Sequence, residues 1–293
     1  MHKRLRATCA LFLTFLIPTT FCVCNGNSNA NTFTDDESSF ETREESIEIE
    51  HVENAESSEE ATIDPDIWDV SNVDTSYVDG SRKLIAFSFD DAPARYMENI
   101  LTVFTSFNEQ NPDCKATATF FLNGSYVQPQ NYPTLITAIT LGMELGNHTF
   151  SHPDLSTLSK EEIALEIQRN DALLQEIDGK SAHLFRAPFG RLNDDVKAVV
   201  SAPIIDWTID TLDWTNVEAD DIYNTVFSNK FSGGIVLMHD GYPHTVSALK
   251  RLLPDLKDAG YQVVSISALA KAHDCVLRNG NVYIRARKPD QRR

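Results

Sequence analysis

Seven apolar, β-branched runs recur after residue 80, with helical patterns between them, and this alternation constrains the fold more than any other feature. The runs are KLIAFSF (83–89), ATATFFL (116–122), MELGN (143–147), HLFRA (183–187), PIIDW (203–207), GIVLM (234–238) and YQVVSI (261–266). The clearest helix is EEIALEIQRNDALLQEI, where Ile163, Ile167, Leu174 and Ile177 share one face and Ser159 with Glu162 forms a capping-box pattern. Strands that alternate with helices pair in parallel through right-handed crossovers. About seven such units predict an α/β fold, a distorted or incomplete (β/α) barrel with about seven parallel strands. A flat doubly wound sheet is the alternative.

In such folds chemistry gathers where strands end. The first run ends in Asp90 and Asp91, within SFDDAP, and the second in Asn123 and Gly124. His148 and His152 follow the third, Arg186 ends the fourth, and Asp210, Asp213 and Trp214 follow the fifth. His239 and Asp240 end the sixth. An Asp pair before Pro is by itself an ordinary turn signal. Ionisable residues at one strand end after another are not explained by turns.

HTFSH sets two histidines four apart, and a nearby Asp completes a ligand set suited to a divalent metal such as zinc. HxxxH alone occurs by chance on surface helices; the strand-end Asp is what gives it weight. Three protein ligands leave positions open for water and substrate, as catalysis requires. If one of the adjacent carboxylates ligates, the other is available to take a proton from water. His239 is placed to protonate a leaving group, Asp213 to hold that histidine, and Arg186 to pair with the base carboxylate. Taken singly, each of these residues reads equally well as a buried ion pair. Together they point to metal-assisted hydrolysis of an amide or ester. GxSxG, HExxH, GxGxxG and GxxxxGK[ST] patterns are missing, so serine-hydrolase and nucleotide-binding readings have no support.

Over roughly residues 80–270 the chain resembles the polysaccharide deacetylases of the NodB homology domain, carbohydrate esterase family 4. SFDDAP is similar to the family's TFDDGP, HTFSH to H[ST]xxH, RAPFG to RxPYG, DTLDW to DxxDW and LMHD to LxHD. The resemblance implies that Asp90 is the catalytic base and that Asp91, His148 and His152 ligate one divalent metal, Zn2+ first, with Co2+ or Ni2+ as alternatives. It implies that Arg186 orients the base, His239 is the acid and Asp213 tunes that acid. Phe189 would donate its backbone N–H to the oxyanion, Trp214 would wall the groove and Leu237 would line the acetyl pocket. One departure stands out: Ala92 replaces the family's usual Gly, and a methyl there would strain a turn that needed φ > 0. The implied substrate is an N-acetylated polysaccharide, with peptidoglycan first and chitin oligomers second. Acetyl xylan ester cleavage and a vestigial carbohydrate-binding wall protein are the rivals. No nucleic acid and no protein partner is implied.

Composition bears on the ends of the chain. MHKRLRAT followed by CALFLTFLI has the layout of an export signal, with cleavage expected between Cys24 and Ala30 and an uncleaved anchor as the alternative. Asn31 to Asp79 holds seventeen acids and one base, most of the formal charge of −18, with few apolar residues. That composition predicts a disordered tether. Trp68 and Tyr77 are the residues at which packing would begin. The expected organisation is a signal over 1–24, an acidic tether over 25–79, a NodB-like domain over 80–275 and a basic tail over 276–293. The signal and tether together imply a secreted or wall-associated enzyme. Cys114 and Cys275 remain after signal removal, and a disulfide between them is a candidate.

Overall fold

A computed structural model describes residues 64–286. The strands are β1 (Lys83–Ala92), β2 (Thr119–Leu122), β3 (Glu144–Asn147), β4 (Ile204–Ile205), β5 (Ile209–Asp210), β6 (Ile235–His239), β7 (Tyr261–Val264) and β8 (Val282–Tyr283). The helices are α1 (Met97–Gln110), α2 (Tyr132–Thr140), α3 (Lys160–Asp178), α4 (Asp194–Val199), α5 (Ala219–Asn229), α6 (Pro243–Asp258) and α7 (Ile266–Ala272). The main sheet runs β3-β2-β1-β6-β5, with β7 on the first half of β1, and β4 pairs with β8. All these strand pairs are parallel.

The sheet curves into a distorted barrel. Phe185 bridges Asn147 at the end of β3 to Ile204 in β4, and the chain then runs on into β5, which pairs with β6. HLFRA therefore contributes a bridge rather than a full strand. β5 and β8, two residues each, carry no periodic signal and were not foreseen.

Side-chain alternation along β1 builds two cores. Ile85, Phe87 and Phe89 pack outward under the helices with Phe104, Phe120 and Leu249, and the Phe89 and Phe120 rings stack 4.9 Å apart. Leu84 and Ala86 face inward with Phe121, Leu184, Ile235, Val264 and Leu269. Burial on both faces explains why β1 reads as a continuous apolar run. Farther along, Ser88 and Asp90 take the inward positions, so the interior turns from apolar to polar toward the strand ends. α3 forms as its pattern predicts: Ser159 and Glu162 make the capping box, and Ile163, Ile167, Leu174 and Ile177 are buried.

The boundaries differ from the compositional reading. The segment 64–79 packs: Trp68, Val73, Tyr77 and Val78 lie against the inner core, and Tyr77 Oη is 2.6 Å from Thr117 Oγ1. Asp79 N–H donates to Gln262 Oε1, whose amide donates to Tyr77 O. Four apolar side chains, together with bonds such as Trp68 N–H to Leu277 O and Lys271 Nζ to Val73 O, anchor the end of this acidic stretch. Residues 276–286 are likewise folded, with Leu277 and Ala286 buried and β8 beside β4. The export signal and the first part of the tether, residues 1–63, lie outside the described residues, as do the last seven. Among the described residues no helix is long and apolar enough to cross a membrane.

Cys114 and Cys275 do not form a disulfide. Cys114 is buried with Sγ 4.0 Å from Tyr261 O, whereas Cys275 packs against the inner core cluster. Cys114 follows α1, whereas Cys275 follows α7.

Candidate active site

The ends of β1, β3, β5 and β6 converge on one cleft of about 430 Å³. It is lined by Asp90, Asp91, His148, His152, Phe189, Gly190, Arg191, Trp207, Asp210, Trp214, Leu237 and His239. Every predicted site residue except Arg186 and Asp213 faces it, and those two stand directly behind.

Asp91, His148 and His152 offer ligand atoms within 4.8 Å of one another, the one such group among the described residues. His152 Nε2 is 3.3 Å from Asp91 Oδ1, and His148 Nε2 is 3.8 Å from the same oxygen. His148 Nδ1 lies 2.9 Å from Arg186 O, which can only accept, so Nδ1 carries the proton and Nε2 turns its lone pair inward. Burial first, and then neighbouring His148, depress the His152 pKa and favour the neutral imidazole that a metal needs. Asp91 Oδ1 is buried with no hydrogen-bond partner. An orphaned carboxylate oxygen beside two inward-facing imidazole nitrogens is the pattern a divalent cation satisfies, so these residues fit the metal. The residue with positive φ in SFDDAP is Asp91, at 64°, while Ala92 continues β1 opposite Leu122. The methyl at position 92 therefore meets no left-handed backbone.

Asp90 is 4% exposed and accepts from Arg186 Nη1 at 2.7 Å. Burial pushes its carboxyl up, but Arg186, His148 and His239 outweigh burial and hold its pKa below the ordinary value. Arg186 is itself buried and donates to Ile205 O, Ser88 Oγ and Asp206 O as well. Its guanidinium lies 4.2 Å from the Phe121 ring centre. Ser88, which also donates to Val236 O, was missed; a polar residue two before Asp90 on an apolar strand was the available signal.

His239 Nδ1 donates to Asp213 Oδ1 at 2.7 Å, which leaves Nε2 for the cleft. Asp213 is fully buried; its Oδ2 accepts from His239 N–H and Thr245 Oγ1, and its backbone O lies 2.6 Å from His244 Nε2. Burial lowers the His239 pKa, but Asp213 raises it further, up to about 9. Asp240 stands apart from this pair: its Oδ2 accepts from Ala94 N–H and its backbone O from Tyr96 N–H, tying the loop after β1 to the end of β6.

Phe189 has φ 60° within the turn Pro188–Gly190, is 60% exposed, and sets its ring 4.7 Å from that of His152. Trp214 is exposed on the rim and Leu237 is buried at the floor. Trp207 and Arg191 also line the cleft and were not foreseen; Arg191 pairs with Asp154.

A family model described as polysaccharide deacetylase matches residues 77–203. A peptidoglycan-N-acetylglucosamine deacetylase of Bacillus cereus is 34% identical over 213 residues, 70% of this chain and 92% of that protein. The chain is a polysaccharide deacetylase of carbohydrate esterase family 4. The deacetylase is also 34% identical over 193 residues to the peptidoglycan-N-acetylmuramic acid deacetylase PdaC of Bacillus subtilis, 66% of this chain and 40% of that longer protein. A family 4 acetyl xylan esterase from Clostridium thermocellum, solved in complex with a cobalt ion, superposes with a TM-score of 0.64 at 25% identity, covering 69% of the deacetylase and 98% of that chain.

Proposed function

We propose that this deacetylase removes N-acetyl groups from peptidoglycan N-acetylglucosamine at a single metal-assisted site. The observation that carries the reading is the orphaned Asp91 Oδ1 facing His148 and His152, with an Asp90–Arg186 pair and a His239–Asp213 pair at the same cleft. A divalent ion held by Asp91, His148 and His152, zinc by preference and cobalt or nickel as alternatives, supplies Lewis-acid polarisation of the acetyl carbonyl and a lowered water pKa.

The chain's own residues supply the proton traffic. Asp90, kept ionised by Arg186, accepts a proton from the attacking water. The Phe189 backbone N–H donates to the developing oxyanion. His239, charged because Asp213 raises its pKa, returns a proton to the departing amine nitrogen. Trp214 offers a sugar-stacking face and Leu237 an apolar contact for the acetyl methyl. A rim this open suits a polymer, in which neighbouring sugars add binding that one ring lacks. A wall substrate implies an enzyme working outside the cell, in keeping with the export-like start of the sequence.

The test is acetate release measured side by side on peptidoglycan, chitin oligomers and acetylated xylan, with mass spectrometry to identify the bond cut. Amide cleavage on peptidoglycan is expected to be fastest. Faster cleavage of chitin oligomers would move the substrate. Ester cleavage on xylan alone would replace the reading with an esterase, and no release from any substrate would leave a binding protein.

A further inference from the structure

The loop that carries His148 and His152 is conformationally costly. Thr149 sits at φ 69° and His152 at φ 59°, left-handed values that a β-branched residue such as threonine rarely adopts. Something outside the loop must hold it there.

Asn147, the residue before His148, is 1% exposed and uses all four hydrogen-bonding positions of its side-chain amide. Its Oδ1 accepts from Thr149 N–H at 2.8 Å and from Asn170 Nδ2 at 2.9 Å. Its Nδ2 donates to Ile167 O at 3.0 Å and to Asp171 Oδ1 at 2.8 Å. Ile167, Asn170 and Asp171 lie at i, i+3 and i+4 on one face of α3. Asp171 is braced in turn by His183, whose Nδ1 is 3.3 Å away and whose Nε2 is 3.1 Å from Asp178. The Asn147 backbone meets the strand-like segment opposite: its N–H donates to Leu184 O, and its O accepts from Arg186 N–H. Asn147 thus ties the ligand loop to α3 through its side chain and to the Arg186 segment through its backbone.

We propose that Asn147, anchored by Asp171 on α3, is a positioning residue that holds the His148–His152 loop in its ligating conformation. The proposal rests on the metal reading of Asp91, His148 and His152. Residues that orient ligands from behind commonly change metal affinity by about 10–100-fold when altered, and Asn147 acts on the backbone of the loop, one residue beyond the first ligand.

Metal-free protein is titrated with Co2+ and followed by visible absorption, well below the unfolding midpoint of each variant, with thermal melts in parallel. Asn147→Ala is expected to raise the Co2+ Kd by about 10–100-fold. Asp171→Ala should raise it in the same direction, and Asp171→Asn should restore it, because an amide oxygen can still accept from Asn147. If Asn147→Ala does not fold, the Asp171→Ala and Asp171→Asn pair decides, since the Asp171 side chain is 33% exposed. Wild-type Kd values in Asn147→Ala and Asp171→Ala would overturn the proposal, whatever the melts show. Failure of the wild-type protein to bind Co2+ would overturn the metal reading itself, and this inference with it.

Discussion

Asp213 holds His239 twice, accepting from the ring Nδ1–H at 2.7 Å through Oδ1 and from the backbone N–H at 2.8 Å through Oδ2. The first contact raises the pKa of the imidazole and the second fixes where the ring hangs. His239 moves from an ordinary 6.5 to about 9. A general acid must be protonated, so activity should fall as pH rises through the basic limb set by this group. A cation bound nearby repels the imidazolium and puts that limb below 9 in the loaded enzyme. Asp213→Asn removes the largest raising influence and should shift the limb to lower pH. A pH–rate profile checks this, and an unmoved limb would remove Asp213 from its role. The same shift has a stability consequence: a raised histidine contributes fully below pH 6.5, and that contribution is lost as pH climbs through about 9.

Asp90→Asn should lower kcat by about 10²–10⁴, the usual worth of a general base, with metal content unchanged. Elemental analysis and acetate release on the same sample check both halves. Because the Asp90 pKa is held below its ordinary value, its stabilising pairing should persist above about pH 4 and weaken as pH falls further.

Arg186→Met should destabilise the fold by about 3–5 kcal/mol, because it leaves the buried Asp90 carboxylate unpaired. Urea unfolding measures the loss. A double variant with Asp90→Leu should recover part of it, since no buried charge is then left alone.

Removing metal with a chelator should abolish turnover, and restoring Zn2+ should return it. Independently of activity, Zn2+ at about 100 times its Kd should stabilise the folded protein by about 2.7 kcal/mol. A thermal midpoint insensitive to Zn2+ would count against the orphaned Asp91 oxygen as a ligand.

Tyr77→Phe deletes the hydroxyl contact with Thr117 and should cost about 1 kcal/mol. Trp68→Ala withdraws an aromatic face from the inner core and should lower the thermal midpoint too. Wild-type melting in both would return residues 64–79 to the tether.

Sequence alone determined the α/β alternation and the rim. Apolar runs long enough to be buried on both faces announce parallel strands, and an ionisable residue at the end of such a run has one place to go. Asp90, Asp91, His148, His152 and His239 were legible for that reason. Arg186 and Asp213 were legible as members of the set, but that they stand behind the cleft rather than in it followed only from the way β1, β5 and β6 bring them together. The roles of Asn147 and Asp171 were beyond reach: Asn147 meets Ile167 and Asp171 across 20 and 24 residues, and no local pattern encodes such pairings. Trp68 and Tyr77 were legible as the residues where packing begins, but the tether boundary was still set too late, at 79, because the burial of these two with Val73 and Val78 depends on an inner core built elsewhere in the chain. The Cys114–Cys275 candidate failed because chain position does not reveal where a side chain packs: Cys114 meets Tyr261 O and Cys275 the inner core. Local chemistry is written residue by residue, whereas the contacts that aim it are made between segments distant in the chain, and those exist only once the barrel has curved.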